Sequence, residues 1–243
     1  MKKYTLLGVT FERFDVREAR RLILRMLDGN RPSCVFTPNA QILDKTARDR
    51  RLVALLNSAD LLLPDGVGIS LACRLSGIRG VRRITGIDTA EWLLRVAERR
   101  GLSVFLIGGK KGIASLAAKR LKQKLPRLNV CGTHHGYFDK SSHSAENKAL
   151  IRKLRKARPD VVFVCMGFPL QEAWISSNAP SLPSVRIFMG LGGSLDVWSG
   201  SVRRAPKPIR LLCLEWLWRC TITPKKLPTL LPLPHFLISS IKS

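Results

Sequence analysis

Acidic residues are scarce in this chain: 17 Asp and Glu stand against 42 Lys and Arg in 243 residues, a formal net charge of +25 at pH 7. Such an excess favours anionic partners, namely nucleic acid, a phospholipid surface or a phosphorylated substrate. No RNP aromatic motif, C2H2 spacing or basic zipper occurs, so no specific nucleic-acid partner is expected. Hydrophobic residues make up 45% and charged residues 24% of the chain, which excludes wholesale disorder.

Other absences exclude further classes of protein. No Asp-x-Asp pair exists to hold a divalent ion on a nucleotide sugar, so we expect no metal site and no cofactor, with phosphate charge met by Lys, Arg and helix ends. The lack of a Gly-x-Ser-x-Gly elbow disfavours a hydrolase of that class. The six cysteines show no CxxC spacing and lie mostly in apolar runs, which indicates a reducing compartment. No uncharged apolar run reaches about 18–20 residues, so a membrane-spanning helix is not predicted.

Short apolar segments alternate with helical patterns over residues 1–202. Strands are predicted at Tyr4–Val9, Ser33–Phe36, Leu61–Leu63, Val104–Ile107, Asn129–Cys131, Val161–Cys165 and Val185–Met189. Helices are predicted at Val16–Leu27, Ala40–Asn57, Gly68–Leu75, Thr89–Arg100, Gly112–Leu125, Ala145–Ala157 and Gln171–Asn178. This alternation predicts an α/β fold with a mainly parallel sheet flanked by helices. Ligands of such sheets bind beyond the carboxyl ends of the strands.

The composition changes after Gly200. Residues 203–243 hold eight basic residues and one acid, Glu215, a net charge of +7, together with six prolines, Trp216 and Trp218. A helical piece is predicted at Ile209–Cys220. We therefore predict a core of residues 1–202 and an appendage of residues 203–243. Apolar, tryptophan and basic residues together favour contact with a membrane surface. The alternative is a tail that packs on its own domain or on a second subunit of a homo-oligomer.

Polar residues follow two of the predicted strands. Thr37 and Asn39 precede a helix, where they would cap its free N–H groups or belong to a site. Asp65 lies between an apolar strand and the next helix. It would be an N-cap carboxylate or a general base that takes a proton from a sugar hydroxyl.

Glycines follow two further strands. The loop of residues 108–112 carries Lys110 and Lys111, so it is either a tight turn or a binding loop for a nucleotide diphosphate. It matches neither GxGxxG nor GxxxxGK[ST]. The loop at Gly167 leads into Gln171 and Glu172, where a helix-cap role competes with a binding role. His134 and His135 have no third ligand nearby in the sequence and make a poor metal site.

Taken together, these loops resemble the WecG/TagA/CpsF family of bacterial glycosyltransferases (glycosyltransferase family 26), and most of all its TagA-type N-acetylmannosaminyltransferases. The resemblance covers nearly the whole chain in order. The matching segments are Thr37-Pro38-Asn39, Leu63-Pro64-Asp65-Gly66-Val67-Gly68, Arg83-Ile84-Thr85-Gly86, Leu106-Ile107-Gly108-Gly109, Gly136-Tyr137-Phe138, Gly167-Phe168-Pro169-Leu170-Gln171-Glu172, Gly190-Leu191-Gly192-Gly193-Ser194-Leu195-Asp196, Arg204-Ala205-Pro206 and Glu215-Trp216-Leu217-Trp218-Arg219.

The resemblance implies a Rossmann-like core of the GT-E type with a membrane-targeting C-terminal appendage. It implies an inverting, metal-independent transfer of N-acetylmannosamine from UDP-N-acetylmannosamine to N-acetylglucosamine on undecaprenyl diphosphate, in a β-1,4 linkage. This reaction takes place at the inner face of the cytoplasmic membrane and feeds wall teichoic acid or a related glycopolymer. Other donors, such as the uronic acid, glucose or galactose, remain alternatives within the family. A nucleotide-binding protein without catalysis is the alternative outside it.

The resemblance also implies roles for individual residues. Asp65 would be the catalytic base, Thr37 and Asn39 would position the substrate, and Arg83 would face the diphosphate or leaving group. The implied substrate-binding residues are Gly108, Gly109, Tyr137, Gly167, Gln171, Glu172, Asp196, Arg219 and Lys226.

The chain departs from the family pattern at two places. Lys226 and Thr229 stand where the family has arginines, and a lysine keeps the charge but not the bidentate geometry of an arginine. Leu170 replaces a basic residue in the loop before Gln171.

Overall fold

A computed structural model of the protein describes residues 2–215, 217–218 and 236. The strands in these residues are β1 (Lys3–Leu6), β2 (Val9–Glu12), β3 (Ser33–Phe36), β4 (Leu61–Leu62), β5 (Ser103–Gly108), β6 (Asn129–His134), β7 (Val161–Cys165) and β8 (Ile187–Gly190). The α-helices are α1 (Val16–Leu27), α2 (Ala40–Thr46), α3 (Arg50–Asn57), α4 (Val67–Leu75), α5 (Gly86–Arg100), α6 (Ile113–Lys124), α7 (Ala145–Ala157), α8 (Leu170–Asn178), α9 (Ser194–Trp198) and α10 (Lys207–Leu211).

Six strands form one sheet in the order β4-β3-β8-β7-β5-β6, and every neighbouring pair in it is parallel. All residues of β7 and β8 are buried, because helices cover both faces of the sheet. The predicted α/β class with a Rossmann-like parallel sheet is confirmed. Since the strands are parallel, the loops after them all emerge at the same edge of the sheet.

Each face of the sheet has its own apolar core. On one face, Val35, Phe163 and Met189 of the strands pack with α1, α5, α6 and α9. On the other face, Phe36 and Phe188 pack with α2, α3, α4, α7, α8 and the β1–β2 pair. The fold is therefore three layers, and the two helical layers fix the loops at the sheet edge.

The single strand predicted at Tyr4–Val9 is wrong. β1 ends at Leu6 and β2 returns antiparallel to it, with Tyr4 opposite Phe11. The turn is made by Leu7 and Gly8, whose φ angles are 52° and 79°. Two consecutive residues with positive φ give the tight turn that joins twisted strands in a hairpin.

The single helix predicted at Ala40–Asn57 is also wrong, because the chain turns between α2 and α3. The carboxylate of Asp49 accepts a hydrogen bond from the backbone N–H of Arg51 at 2.9 Å and so starts α3 as a new helix. The helix predicted at Ile209–Cys220 is interrupted as well. There α10 ends at Leu211, and Cys213 adopts a φ of 60°.

The described residues of the predicted appendage contact the core. Phe236 is fully buried within the apolar cluster that also contains Phe36 and Phe188. Ala205 is 5% exposed. Within the described residues, no helix combines the length and apolar composition needed to cross a bilayer.

Candidate active site

The loops after β3, β4, β7 and β8 meet at the carboxyl edge of the sheet and surround a cavity of about 190 Å³. Five of the predicted site residues line this cavity: Thr37, Asn39, Asp65, Gln171 and Asp196. Pockets that enclose drug-sized ligands usually measure roughly 300–1,000 Å³. A cavity of this size has room for part of a nucleotide sugar, with the remainder outside it.

Asp65 is half-buried in the wall of the cavity and is held from two sides. Its backbone N–H donates to the carbonyl of Pro38 at 2.9 Å, and its Oδ2 accepts the N–H of Gly86 at 3.1 Å. Gly86 is the first residue of α5, and the start of a helix stabilises negative charge. The alternative of an N-cap on α4 is wrong, since Gly66 occupies that position and α4 has no side-chain cap. These two hydrogen bonds fix the position of the Asp65 carboxylate in the cavity wall.

Thr37 and Asn39 lie on the loop beside Asp65 and are fixed by hydrogen bonds. The Thr37 hydroxyl donates to the carbonyl of Gly190 at 2.9 Å, which ties the β3 loop to the end of β8. Asn39 is the N-cap of α2, and its Oδ1 accepts the N–H of Ile42 at 3.0 Å. The capping function predicted for Asn39 is confirmed. Thr37 does not cap the helix.

Gln171 joins the loops that follow β7 and β8. Its side chain is 2% exposed, and its Oε1 accepts the N–H groups of Gly167 at 3.2 Å and Gly192 at 2.9 Å. Its Nε2 donates to Oε1 of Glu172 at 2.8 Å, which fixes the orientation of the amide. Gln171 therefore shapes the cavity wall that it lines, and it does not act as a helix cap.

Glu172 lies beneath Gln171 and is only 1% exposed, and it is not one of the residues that line the cavity. Its Oε2 has no hydrogen-bond partner among the described residues. Burial in apolar surroundings raises the pKa of this carboxyl to about 7, against the opposing effect of the hydrogen bond from Gln171. Contact with substrate, which the sequence predicted for Glu172, would require the cavity to open further.

This buried carboxyl predicts a pH dependence of stability. Between about pH 4.5 and 7 the folded chain holds a proton at Glu172 that the unfolded chain has released, so stability falls as the pH rises through that window. The full effect is on the order of 3 kcal/mol. Urea unfolding at pH 5 and pH 8 should show a smaller loss for Glu172→Gln than for the wild type. The surface substitution Glu146→Gln is the control, and equal losses for Glu172→Gln and wild type would contradict the assignment.

Arg83 lies between Asp65 and the appendage. Its Nη2 donates to Oε2 of Glu215, and its Nη1 donates to the carbonyl of Arg210 at 3.4 Å and to Sγ of Cys213 at 3.3 Å. Its side chain is 18% exposed, and Asp65 lies within electrostatic range of it. Arg83 thus lies near Asp65, and Glu215 is the ion-pair partner of its guanidinium.

A second arginine ties the appendage to α5. Arg204 donates to Oδ1 of Asp88 at 2.5 Å and forms ion pairs with Glu91 at 3.4 Å and Glu215 at 3.7 Å. Glu215 also lines the cavity, as does Arg203. The described part of the appendage therefore contributes to one wall of the cavity through the half-buried Glu215 and the exposed Arg203.

Among the residues that the structure describes, the other predicted binding residues do not line this cavity. Gly108 ends β5 and Gly109 follows it, and neither lines the cavity, because β7 separates β5 from β8. A Cβ on Gly108 would lie 2.2 Å from the carbonyl oxygen of Cys165, so packing between strands requires that glycine. Lys110 is exposed, and Tyr137 is 71% exposed. Gly167 adopts a φ of 76°, and its backbone N–H donates a hydrogen bond to Oε1 of Gln171. Arg219, Lys226 and Thr229 lie outside the described residues.

The adjacent imidazoles form a packed pair. The rings of His134 and His135 stack at 4.6 Å, and His134 meets Phe138 edge-on. Desolvation lowers the pKa of His134, despite its hydrogen bond with the carbonyl of His135. Over the part of the chain that the structure describes, no three His, Cys, Asp or Glu residues come together as metal ligands.

Comparison with known proteins supplies the family. The family model "Glycosyl transferase WecG/TagA/CpsF family" matches residues 4–243. The chain belongs to this glycosyltransferase family. The N-acetylglucosaminyldiphosphoundecaprenol N-acetyl-beta-D-mannosaminyltransferase of Bacillus subtilis (strain 168) is 32% identical over 217 residues, which cover 89% of this chain and 82% of that protein. The protein of the same name from Staphylococcus aureus (strain NCTC 8325 / PS 47) is 30% identical over 243 residues, covering 99% of this chain and 93% of its own length.

In this glycosyltransferase, several cavity residues were not predicted as site residues. A Cβ on Gly86 would lie 2.9 Å from Cγ2 of Thr37, so glycine lets the start of α5 approach Thr37 this closely. Gly192 comes from the loop after β8, Ser194 from the start of α9, and Arg203 and Glu215 from the appendage. The helix was predicted to begin at Thr89, so Gly86 was not recognised as the first residue of α5, and its only signal was its place in the segment Arg83-Ile84-Thr85-Gly86. For Glu215 the signal was its being the single acid in a basic segment.

Proposed function

We propose that this protein transfers N-acetylmannosamine from UDP-N-acetylmannosamine to N-acetylglucosamine on undecaprenyl diphosphate, with inversion and a β-1,4 linkage. The relatives named above carry this acceptor and this sugar in their names. The observation that carries the proposal is Asp65, a half-buried carboxylate at the edge of a parallel sheet, in a cavity formed by the loops after four strands.

The reaction needs one base and one stabilised leaving group. The acceptor hydroxyl oxygen attacks the anomeric carbon from the face opposite UDP, and its proton passes to the Asp65 carboxylate. The bond between the anomeric carbon and the phosphate oxygen breaks, and its electron pair leaves with UDP. A positioned general base typically contributes about 10²–10⁴-fold to the rate. Thr37 and Asn39, both fixed by hydrogen bonds, would hold the sugar beside it.

Charge on the departing UDP would be met by cations. Arg83 is near Asp65 and is paired with Glu215, so a diphosphate that exchanged with the Glu215 carboxylate would bind the same guanidinium. Charge-assisted bonds between arginine and phosphate are strong and directional. Lys110 and Lys111, and the appendage residues Arg219 and Lys226, would add positive charge around the nucleotide.

We expect the transfer to need no metal ion. No Asp-x-Asp pair is present in the sequence. Activity should persist in excess EDTA at the rate measured with magnesium, because arginine and lysine neutralise the phosphates. Loss of turnover in EDTA that magnesium or manganese restores would contradict this prediction. A metal-dependent glycosyltransferase assayed with the same donor batch is the control.

We place the protein at the inner face of the cytoplasmic membrane as a peripheral enzyme, because its acceptor would be anchored there. The appendage would supply the contact, since each Lys or Arg near an anionic surface contributes about 1 kcal/mol. The product would feed wall teichoic acid or a related surface glycopolymer.

The experiment that tests the proposal is a donor comparison with purified full-length protein. UDP release is measured with UDP-N-acetylmannosamine, its uronic acid, UDP-glucose and UDP-galactose, each with and without the lipid-linked acceptor. The proposal predicts acceptor-dependent release that is fastest with UDP-N-acetylmannosamine. Faster release with another donor would change the sugar that we assign to the donor. The proposed reaction class, glycosyl transfer to the lipid-linked acceptor, would be unchanged. No acceptor-dependent release from any donor would contradict the proposed function.

A further inference from the structure

A second cavity, of about 710 Å³, lies between α4 and the loop of residues 76–82, and we call it the α4 groove. Its volume is within the range of roughly 300–1,000 Å³ that is usual for ligand pockets. The side chains used in the argument below are Val67, Leu71, Arg74, Ile78, Arg79 and Val81. The lining of the groove therefore combines apolar side chains with two arginines.

The α4 groove adjoins the candidate active site. Val67, the first residue of α4 and of the groove lining, follows Asp65 by two positions. From Val67 to Arg74, α4 extends about 10 Å along its axis. At its other end, the loop runs into Arg83, which contacts the appendage at Arg210. A molecule whose hydroxyl lies at Asp65 would reach this groove with its next segment.

The surface around the α4 groove is unusually apolar for exposed residues. Leu71, which lines the groove, is 40% exposed, and Leu75 on the same helix is 48% exposed. Clustered exposed apolar side chains mark sites for lipids, ligands or partners. Arg74 and Arg79 are exposed, and neither takes part in an ion pair with another described residue. Apolar side chains beside two arginines without an ion-pair partner among the described residues fit a ligand with a hydrocarbon part and a phosphate part.

We propose that the α4 groove binds the lipid part of the acceptor, a polyprenyl diphosphate. The isoprene units pack on Leu71, Ile78 and Val81, and the phosphate oxygens lie against Arg74 and Arg79. This inference rests on the proposed function, which supplies an acceptor made of sugar, diphosphate and isoprenoid chain. The inference adds the location on the protein core at which the isoprenoid chain binds.

The first test compares two acceptors in detergent micelles, one with an undecaprenyl chain and one with a short alkyl chain on the same diphosphate sugar. Leu71→Glu should raise KM for the long-chain acceptor by roughly tenfold or more, the size expected for the apolar contact of one leucine. The rise for the short-chain acceptor should be several-fold smaller. The matched control is Leu116→Glu on α6, because Leu116 is also 40% exposed. Its KM for both acceptors should equal that of the wild type.

The second test measures binding of undecaprenyl diphosphate in micelles directly, so it does not depend on turnover. Leu71→Glu should weaken binding about tenfold, and Arg74→Gln with Arg79→Gln should weaken it and reduce its salt dependence. Unchanged binding in the Leu71→Glu variant overturns the inference. The inference is also overturned if Leu71→Glu reduces pelleting with acceptor-free phosphatidylglycerol vesicles but leaves the binding of undecaprenyl diphosphate in micelles intact. The α4 groove would then contact the bulk membrane. Failure of the wild type to transfer sugar with intact binding would overturn the proposed function and support this groove.

Discussion

Replacement of Asp65 with Asn is expected to lower turnover by at least about a hundredfold, the lower end of the effect of a general base. The amide oxygen of Asn can still accept the N–H of Gly86, which lies 3.1 Å from Oδ2 in the wild type, so the fold should persist. The amide cannot accept the proton of the acceptor hydroxyl. Steady-state rates with the lipid acceptor, together with thermal unfolding curves, measure the two effects separately.

The matched control for this substitution is Asp49→Asn. Asp49 is a carboxylate that caps α3, and asparagine caps helices about as well as aspartate. This variant should retain the wild-type rate. If Asp65→Asn also keeps more than half of that rate, then Asp65 only fastens α5 to the β3 loop, and another group must take the proton.

A chain shortened to residues 1–202 is expected to lose most activity on the lipid acceptor and to stop pelleting with anionic vesicles. It lacks the seven net positive charges of residues 203–243, and it lacks Glu215 and Arg204, which form ion pairs with Arg83, Asp88 and Glu91. A generic membrane anchor fused to the shortened chain should restore pelleting without restoring full turnover, since it returns the membrane contact and not the cations.

Loss of packing must be separated from loss of charge in that experiment. Phe236 is fully buried in the core, and removal of a buried phenylalanine side chain costs about 3–5 kcal/mol. Phe236→Ala in the full-length chain should therefore be less stable but still pellet with vesicles at a temperature where it is folded. A shortened chain that pellets and turns over like the full chain would show that the appendage serves packing alone.

Secondary structure was predictable where the sequence shows a clear hydrophobic period and a helix-capping residue. The predicted bounds of α1 and α7 match the structure, because amphipathic patterns there begin after the capping residues Asp15 and Ser144. β3 and β7 also match, as short apolar runs between turns. The β1–β2 hairpin was missed, since Leu7 is an unusual residue at a position with positive φ. The strand order was not predictable because β3 pairs with β8, which lies about 150 residues later in the chain.

For the candidate site, the sequence could indicate which loops contribute residues. The residues after β3, β4, β7 and β8 were expected at one edge, and there Asp65, Thr37 and Gln171 line one cavity. The glycine loop after β5 lies outside that cavity because β7 separates β5 from β8. Glu215 reaches Arg83 across 132 positions, and no sequence spacing indicates such a contact.

The pairing of Arg83 with Glu215 connects the appendage directly to the candidate active site. In a protein with only 17 acids, Glu215 lies between Arg83 and Arg204 at the wall of the cavity. An incoming diphosphate has the same sign of charge as this carboxylate. Substrate binding and the position of the appendage are therefore expected to depend on each other.

Mass spectrometry of the acceptor lipid tests the central claim most directly. Undecaprenyl diphosphate N-acetylglucosamine is incubated with UDP-N-acetylmannosamine and either the wild-type protein or Asp65→Asn, in EDTA. The account predicts that the wild type converts the lipid to a product heavier by one N-acetylhexosamine residue, and that Asp65→Asn leaves nearly all of it unconverted over the same time. An unaltered lipid with wild-type protein, or equal conversion by both proteins, would contradict it.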